Sequence, residues 1–230
     1  MCGIAGFVLN SSNVNSDLAN INLSRMLKKI QHRGPDNEGK YIEVRNKTLI
    51  ALGHRRLSII DLSNDSNQPT YFENLVMTFN GEIYNYIEIR SILLSCGYNF
   101  KSNGDSEVLI KAFHKWGMRA LDKLNGMFSI SLFDKSIETL YLIRDRFGVK
   151  PLLYTHKNNC IYYASEIRAL CELNDIDTNV SEYSVYEYMR FGYVSNPSTI
   201  FDKIKQVRPG CYLKIDTKNA SFKDIEYWSI

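Results

Sequence analysis

The 230-residue sequence contains neither a basic cluster nor a long apolar run. Its formal net charge is only +3, and no stretch of Lys and Arg reaches the roughly five to eight residues that indicate a nucleic-acid patch. No apolar segment approaches the roughly 20 residues that span a bilayer. The apolar residues 1–9 have no basic region before them and no cleavage site after them, so they are not a signal peptide. We therefore expect no nucleic-acid partner and no membrane association.

The five cysteines are scattered and include no C-x-x-C pair. Their odd number and irregular spacing favour neither a disulfide framework nor a metal site, and they suit a reducing cytoplasm. The sequence also lacks the G-x-G-x-x-G motif and the P-loop motif, so no site for a nucleotide phosphate is visible. We expect no metal and no cofactor in this chain.

Hydrophobic residues make up 44% of the chain and charged residues 23%, as in folded globular proteins. Period-2 and period-3.6 patterns predict strands first, helices in the middle and further strands afterwards. This order favours an α+β fold with antiparallel sheets over alternating βαβ units. The predicted strands lie at 3–9, 39–45, 48–53, 57–60, 74–79, 127–133, 139–143, 152–155 and 160–164. The predicted helices include residues 23–30, 89–96, 108–116, 166–170 and 185–191.

The character of the sequence changes near residue 183. A short apolar helix, an Asn-Pro step, an Arg-Pro-Gly turn and a final strand pair follow one another from there. We predict one domain over 2–182, and a linker with the start of an incomplete second domain over 183–230.

Cys2 has unusual chemical potential because of its position. Methionine aminopeptidases act when the second side chain is small, which would leave Cys2 as the first residue. Its α-amino group, with an ordinary pKa of about 7.7–8.0, could then take the proton from its own thiol. This is the logic of an N-terminal threonine nucleophile. Position alone is weak evidence, because most such cysteines are small buried hydrophobic residues.

Asn80 and Gly81 follow directly on a predicted strand, in the run Asn80-Gly81-Glu82-Ile83-Tyr84-Asn85. The simple interpretation is a tight turn, for which Asn-Gly is the commonest dipeptide. The functional interpretation is an oxyanion hole built from the Asn80 side-chain N–H and the Gly81 backbone N–H. The sequence leaves both open.

Two further groups fit an amino-acid substrate. Arg55 and Arg56 open the run Arg55-Arg56-Leu57-Ser58-Ile59-Ile60-Asp61, and a guanidinium can bind a carboxylate with two parallel hydrogen bonds. Asp105, just before a predicted helix, could bind an ammonium group. Spacing alone favours Asp105 as a helix N-cap and either Arg as a solvated surface residue.

Taken together, these residues resemble the class II (N-terminal nucleophile) glutamine amidotransferases, and specifically the glutaminase domain of glutamine-hydrolysing asparagine synthetases. The related branch that makes glucosamine phosphate differs at Arg56–Asp61 and Asn80–Asn85. Seven motifs in the order of the family cover nearly the whole chain. They are Met1-Cys2-Gly3-Ile4-Ala5-Gly6, His32-Arg33-Gly34-Pro35-Asp36, Arg56-Leu57-Ser58-Ile59-Ile60-Asp61, Asn80-Gly81-Glu82-Ile83-Tyr84-Asn85, Gly104-Asp105-Ser106-Glu107, Arg144-Asp145-Arg146-Phe147-Gly148-Val149-Lys150-Pro151-Leu152 and Ala164-Ser165-Glu166.

The resemblance implies a role for each site residue and a fold, the four-layer αββα sandwich of two antiparallel sheets. Cys2 would form a γ-glutamyl thioester, and Asn80 and Gly81 would stabilise its oxyanion. The substrate-binding residues would be Arg56 on the α-carboxylate, backbone groups of Ile59 and Ile60 on the pocket wall, and Glu82 with Asp105 on the α-ammonium. The segments 32–36 and 144–152 would support the site without being catalytic.

The resemblance also implies partners. The synthetase pyrophosphate loop does not occur before Ile230, so ATP and magnesium are expected only in a synthetase domain, supplied in cis or in trans. Glutamine is the expected substrate, aspartate the expected ammonia acceptor with sugars and peptides as alternatives, and a homodimer stays open. Two other functions are considered: an N-terminal nucleophile hydrolase for a different amide, and a non-catalytic glutamine-sensing or subunit-interaction domain. The pairing of Arg56 with Asp105 argues against the first, and intact Cys2 and Asn80 argue against the second.

Overall fold

A computed structural model describes residues 1–11, 14–59 and 61–229, which form twelve strands and five α-helices. The strands are β1 (Gly3–Asn10), β2 (Asn37–Arg45), β3 (Thr48–Arg56), β4 (Thr70–Phe72), β5 (Leu75–Ile83), β6 (Gly126–Asp134), β7 (Thr139–Arg144), β8 (Leu153–Lys157), β9 (Cys160–Ala164), β10 (Lys205–Gln206), β11 (Cys211–Asp216) and β12 (Ser221–Glu226). The helices are α1 (Ser16–Lys29), α2 (Tyr86–Ser95), α3 (Asp105–Trp116), α4 (Ile167–Leu170) and α5 (Glu182–Phe191).

The strands form two six-stranded antiparallel sheets. Sheet A has the order β10-β8-β9-β1-β3-β2, and sheet B has the order β12-β11-β7-β6-β5-β4. Helices α1 and α4 cover the outer face of sheet A, and helices α2 and α3 cover the outer face of sheet B. A third apolar layer lies between the sheets. The predicted α+β class and the four-layer αββα sandwich are confirmed.

The period-2 alternation of the strands places the candidate residues between the sheets. In β1, Ala5 and Phe7 pack outward against the helices, whereas Ile4 and Val8 pack inward. Cys2, one residue before β1, continues the inward series. Asn80 in β5 shares the inward side, because its neighbour Phe79 packs outward.

The two central helices end where the sequence predicts. Gly97 follows α2 with φ of 87°, and Gly117 follows α3 with φ of 59°. Backbone with positive φ is costly for residues that carry a Cβ, so glycine ends both helices. None of the helices in the described ranges is both long and apolar enough to cross a membrane.

Two local predictions differ from the structure. Residues 57–59 form a loop where a strand was predicted, and Ile60 lies outside the described residues. Strand β5 continues to Ile83 and includes Asn80 and Gly81, so the tight-turn interpretation is wrong. The strand persists because β6 pairs with it along its whole length, with Gly81 opposite Phe128.

The C-terminal segment also differs from the predicted boundary at residue 183. Strand β10 pairs with β8 in sheet A, and β11 pairs with β7 in sheet B. Leu213 and Ile215 are fully buried between the two sheets. The Tyr227 hydroxyl donates to the Arg144 carbonyl at 2.8 Å. Residues 205–227 therefore share the core formed by residues 2–182.

Candidate active site

A cavity of about 140 Å³ opens at the end of the inter-sheet layer where β1 begins and β5 ends. Its walls come from both sheets, from the loop after β3, from the N-terminus of α3 and from the loop after β7. The lining residues are Met1, Cys2, Arg56, Leu57, Ile59, Asp61, Ser66, Gln68, Phe79, Asn80, Gly81, Glu82, Gly104, Asp105, Ser106, Met127 and Lys150.

The Cys2 thiol lies in this cavity against the loop after β3. Its Sγ accepts a hydrogen bond from the Leu57 N–H at 3.3 Å and lies 3.6 Å from the Leu57 carbonyl oxygen. Burial raises the pKa of the thiol above its ordinary value, and this outweighs the opposing effects of the Leu57 N–H, the N-terminus and Arg56. At neutral pH the thiol is protonated, so it needs a base to become a nucleophile.

Arg33 fixes the backbone of Cys2. Its Nε donates to the Cys2 carbonyl oxygen at 2.9 Å, and its Nη1 contacts Glu166 at 3.1 Å. Gly34 allows the approach of this segment, because a Cβ there would collide with the backbone of Arg55. The motif at residues 32–36 thus supports the site through the main chain of the cysteine.

Asn80 is fully buried, and Gly81 lies against β6. Asn80 Nδ2 lies 3.4 Å from Ser129 Oγ, and Asn80 Oδ1 has no hydrogen-bond partner within the described parts of the chain. A Cβ on Gly81 would overlap the carbonyl oxygen of Met127, so only glycine fits this strand spacing. Both residues reach the wall of the cavity.

The Gln68 side chain braces the residue that precedes Asn80. Strand β4 ends its pairing with β5 at Met77, so the backbone of Phe79 lies beyond that ladder. Gln68 Oε1 accepts from Phe79 N–H at 2.6 Å, and Gln68 Nε2 donates to Phe79 O at 3.1 Å. His54 Nε2 donates to the same carbonyl at 3.1 Å. Buried main-chain groups require such partners.

Arg56 is buried and held by the loop that follows β3. Nη1 donates to the Ser63 carbonyl at 2.8 Å and to Asn67 Oδ1 at 2.7 Å, and Nη2 donates to the Asp61 carbonyl. These contacts use three of the five donors that a guanidinium has. Among the described residues the other N–H groups of Arg56 have no partner, so they are available to an anion in the cavity.

Asp105 is buried at the first position of α3, and Gly104 rather than Asp105 occupies the N-cap. The N-cap interpretation is therefore wrong. Asp105 Oδ2 accepts from the Ile83 N–H at 3.0 Å. Burial raises the pKa of this carboxyl to about 6, opposed by backbone N–H groups and assisted by the charge of nearby Glu82. A cationic ligand would hold it ionised.

Asp61 links two loops. One of them binds Arg56, and the other carries Asp105. Its Oδ2 accepts from Ser66 Oγ and from Asn103 N–H, both at 2.9 Å, and its Oδ1 accepts from Ser63 N–H at 2.8 Å. These donors, led by the Ser63 N–H, hold the pKa of Asp61 well below its usual range. The two candidate ends of a substrate site are thereby fixed relative to each other.

The loop after β7 is built around Arg144 and Asp145, both buried. Arg144 donates to three carbonyls, those of Gly148, Lys150 and Val207, at 2.7 to 2.9 Å. Asp145 accepts backbone N–H groups at 2.9 to 3.1 Å; the donors are Phe128, Phe147, Val149 and Lys150. The loop presents Lys150 to the cavity.

The predicted site residues therefore meet in one place. Ile60 lies outside the described residues, and the others all line the cavity: Cys2, Arg56, Ile59, Asn80, Gly81, Glu82 and Asp105. Sequence reasoning did not single out Gln68, Asp61 or Lys150. Gln68, in the segment before β4, carries no local signal, because its partner Phe79 lies on β5. Asp61 and Lys150 lie inside quoted motifs, but their partners become visible only in the fold.

The fold is shared with known amidotransferases. A glutamine phosphoribosylpyrophosphate amidotransferase from B. subtilis, complexed with ADP and GMP, superposes with a TM-score of 0.68 and 18% identity over 99% of this chain and 49% of that chain. An allosteric regulatory enzyme of purine biosynthesis superposes with a TM-score of 0.70 and 17% identity over the same shares. At these identities the likeness shows a shared fold and nothing further.

The family follows from the sequence comparison. The glutamine amidotransferase domain matches residues 1–228, and the chain belongs to this family. Glutamine-hydrolyzing asparagine synthetase 1 of Bacillus subtilis (strain 168) is 39% identical over 195 residues, which cover 84% of this chain and 30% of that protein. A putative asparagine synthetase of Methanocaldococcus jannaschii is 29% identical over the whole chain and 47% of its own length. The chain thus spans half or less of the length of these relatives.

Proposed function

We propose that this chain hydrolyses glutamine to glutamate and ammonia, with Cys2 as an N-terminal nucleophile after removal of Met1. One observation carries the proposal: a single cavity brings together a thiol at position two, a buried guanidinium with donors that no described residue occupies, and a buried carboxylate. The last two groups suit the α-carboxylate and the α-ammonium of an amino acid. The thiol is then available to react with the carboxamide at the far end of the substrate side chain.

Substrate binding would use the two charged residues held by Asp61. Arg56 would bind the α-carboxylate, and Asp105 with Glu82 would bind the α-ammonium. Ile59 and Ile60 would contribute to the wall through their backbone. Because Asp105 is buried with a raised pKa, an arriving ammonium group gains a charge partner screened from water. This favours amino acids over simple amides.

The chemistry would run in two steps. The free α-amine of Cys2 takes the thiol proton, and the thiolate attacks the γ-carboxamide carbon to give a tetrahedral oxyanion. Collapse of this intermediate breaks the C–N bond, and the ammonium of Cys2 protonates the departing nitrogen, which leaves as ammonia. Water, deprotonated by the same amine, then hydrolyses the thioester to release glutamate and the thiol.

Asn80 and Gly81 would stabilise the oxyanion, and Ser129 would set the orientation of the Asn80 amide. A half-turn of the amide about its terminal torsion allows Oδ1 to accept from Ser129 Oγ. The same rotation places the Nδ2 donor where the unpartnered Oδ1 now lies. An oxygen without a donor is costly when buried, so this orientation is favoured. One such oxyanion donor contributes roughly 3–4 kcal/mol to catalysis.

Ammonia from this site would supply an ATP-dependent synthetase domain, in cis or in trans, for the conversion of aspartate to asparagine. This part of the proposal rests on the names of the relatives, whose remaining length exceeds that of the present chain. ATP and magnesium would bind that domain and not this one. Action in the cytoplasm and self-association into a homodimer also stay predictions; light scattering of the purified chain tests the second.

Glutamate release from glutamine tests the proposal. The wild-type chain should release glutamate, and Cys2→Ala should lower kcat at least roughly 1,000-fold because the nucleophile is lost. Cys96→Ala, which removes an exposed thiol, is the matched control and should keep full activity. Glutamate release that persists in Cys2→Ala would refute the proposal.

A further inference from the structure

Lys150 is a buried cation without an obvious partner. Lys150 is only 4% exposed. Within the described ranges its ammonium group forms no ion pair with a carboxylate. Its Nζ lies 2.9 Å from the sulfur of Met1. A thioether is a weak acceptor, and an ammonium ion is costly to bury without a counter-charge. The structure thus retains an unfavourable charge at the mouth of the cavity.

The partner of Lys150 is the residue that the proposed function removes. When Met1 leaves, Cys2 becomes the N-terminus, and Cys2 and Lys150 line the same cavity. The loop holding Lys150 is rigid, because Asp145 accepts the Lys150 N–H and Arg144 binds the Lys150 carbonyl, both at 2.9 Å. The ammonium therefore stays beside the chain terminus after processing.

We propose that Lys150 is a positioning residue that keeps the α-amino group of processed Cys2 neutral, in the form that can accept the thiol proton. The inference rests on the proposed glutaminase function. A fixed positive charge near the amine disfavours a second positive charge on it and leaves the neutral amine untouched. The resting site then holds a protonated thiol beside a neutral amine, the state from which catalysis starts.

The other charges around the terminus do not cancel this effect. Arg33, on the Cys2 carbonyl, adds a second cation, and its Nη2 is buried without a partner among the residues that the structure describes. Its counter-ion Glu166 is shared with His32 and Arg168. Asp145 directs its oxygens to backbone N–H groups. The remaining charged residues that line the cavity are Arg56, Glu82, Asp61 and Asp105.

The carboxylates on the opposite wall have their own substrate role. Asp105 and Glu82 would pair with the substrate ammonium, whereas Lys150 forms no ion pair among the described residues. Burial and the charge of Arg33 lower the pKa of Lys150 from its ordinary value, opposed by Asp145, Glu82 and Cys2. This direction agrees with a cluster of positive charge around the terminus.

The test is the pH dependence of kcat/KM for glutamine in Lys150→Met, Lys150→Arg and the wild type. We expect Lys150→Met to shift the acid limb upward by about one pH unit, because one nearby cation is lost. Lys150→Arg should restore the limb to its wild-type position. Lys47→Met is the control, because it removes the same charge far from Cys2. Lys47 lies in the turn before β3, next to Thr48, which pairs with Asn10 at the far end of β1. This variant should leave the acid limb in its wild-type position.

A direct titration separates this inference from the proposed function. In processed protein carrying ¹⁵N-cysteine, the α-amine signal of Cys2 should titrate about one unit higher in Lys150→Met than in the wild type. Equal titration midpoints, or a lower rate in Lys150→Met with an unmoved acid limb, would overturn the role of Lys150. Absence of glutaminase activity in the wild type would overturn the proposed function instead, and the amine titration still decides on Lys150.

Discussion

The side-chain amide of Gln68 takes the place of a strand beside Phe79. Its Oε1 lies 2.6 Å from the Phe79 nitrogen and its Nε2 lies 3.1 Å from the Phe79 oxygen, the two contacts that an antiparallel neighbour would make. Phe79 directly precedes Asn80, whose amide we assign to the oxyanion. The geometry of the site thus depends on a residue with no chemical role.

Replacement of Gln68 tests this dependence. Gln68→Leu leaves the Phe79 N–H buried without an acceptor, which we expect to cost about 1–3 kcal/mol of unfolding free energy. Because Asn80 moves with Phe79, kcat should fall by roughly tenfold or more while KM changes less. Urea unfolding and steady-state kinetics measure the two effects. An unchanged kcat would show that Asn80 does not need this brace.

The Asp105 carboxyl predicts how glutamine binding depends on pH. With a pKa of about 6 in the free protein, it is ionised above that value and protonated below it. The ionised form binds the substrate ammonium, so the glutamine Kd should rise about fivefold between pH 6 and pH 5. Calorimetry on the processed Cys2→Ala chain, which cannot turn over substrate, measures this Kd.

The matched variants for this titration are Asp105→Asn and Asp122→Asn. Asp105→Asn should weaken glutamine binding by roughly 10- to 100-fold and remove the dependence on pH, because a charge-assisted hydrogen bond is lost. Asp122 is exposed in the short 3-10 helix that follows α3, so Asp122→Asn should behave as the wild type. A pH dependence that persists in Asp105→Asn would assign it to another group.

Replacement of Asp61 tests whether this residue acts by positioning the two loops or only through its negative charge. An amide at this position can accept through one oxygen only, so Asp61→Asn should lose part of its hold on Ser66 or Asn103. We expect a several-fold rise in the KM for glutamine, with a smaller change in kcat, since the loops bearing Arg56 and Asp105 loosen. Asp65→Asn, an exposed change in the same loop, is the control and should have no effect. Equal effects of the two variants would contradict the account.

His54 predicts a loss of stability in acid. Burial lowers its pKa from 6.5 to about 3. The hydrogen bond to the Phe79 carbonyl opposes this shift, and the charge of Arg56 adds to it. The unfolded chain binds the proton first, so this contribution is complete above about pH 6.5 and declines as the pH falls toward 3. The native state should lose about 2 kcal/mol from this residue between pH 7 and pH 5.

Urea unfolding of His54→Gln against the wild type isolates that effect. The raised pKa of Asp105 acts in the opposite direction between about pH 4 and pH 6, because its protonated form is favoured in the folded state. It is present in both proteins and cancels in the difference. His156→Gln, at an exposed position, should retain the wild-type slope. If the unfolding free energy of His54→Gln depends on pH as steeply as that of the wild type, His54 is not the source of the acid destabilisation.

The sequence was sufficient where local pattern determines structure. Gly97 and Gly117 end their helices as predicted, because a positive φ is a property of the residue itself. It was insufficient where a distant strand decides. Asn80-Gly81 favours a turn locally, but pairing with β6 over nine positions keeps it extended. The final strands looked like an appendage because nothing local indicates that β11 pairs with β7.

The candidate site divides in the same way. Residues with direct chemistry, such as Cys2, Arg56 and Asp105, belong to motifs and were found from them. Gln68 and Lys150 act through contacts with partners at least eleven positions away in the chain, which no spacing rule identifies. Asp105 shows a further limit: the sequence favoured a cap, whereas the fold places Gly104 there and turns the carboxylate toward Ile83.

The most direct measurement of the central claim is the intact mass of the protein after incubation with 6-diazo-5-oxo-norleucine, a glutamine analogue with an electrophilic carbon. We predict a single adduct, confined to the species that lacks Met1, absent in Cys2→Ala and suppressed by excess glutamine. An adduct on protein that retains Met1, or one that survives in Cys2→Ala, would contradict a nucleophile whose own terminal amine is its base.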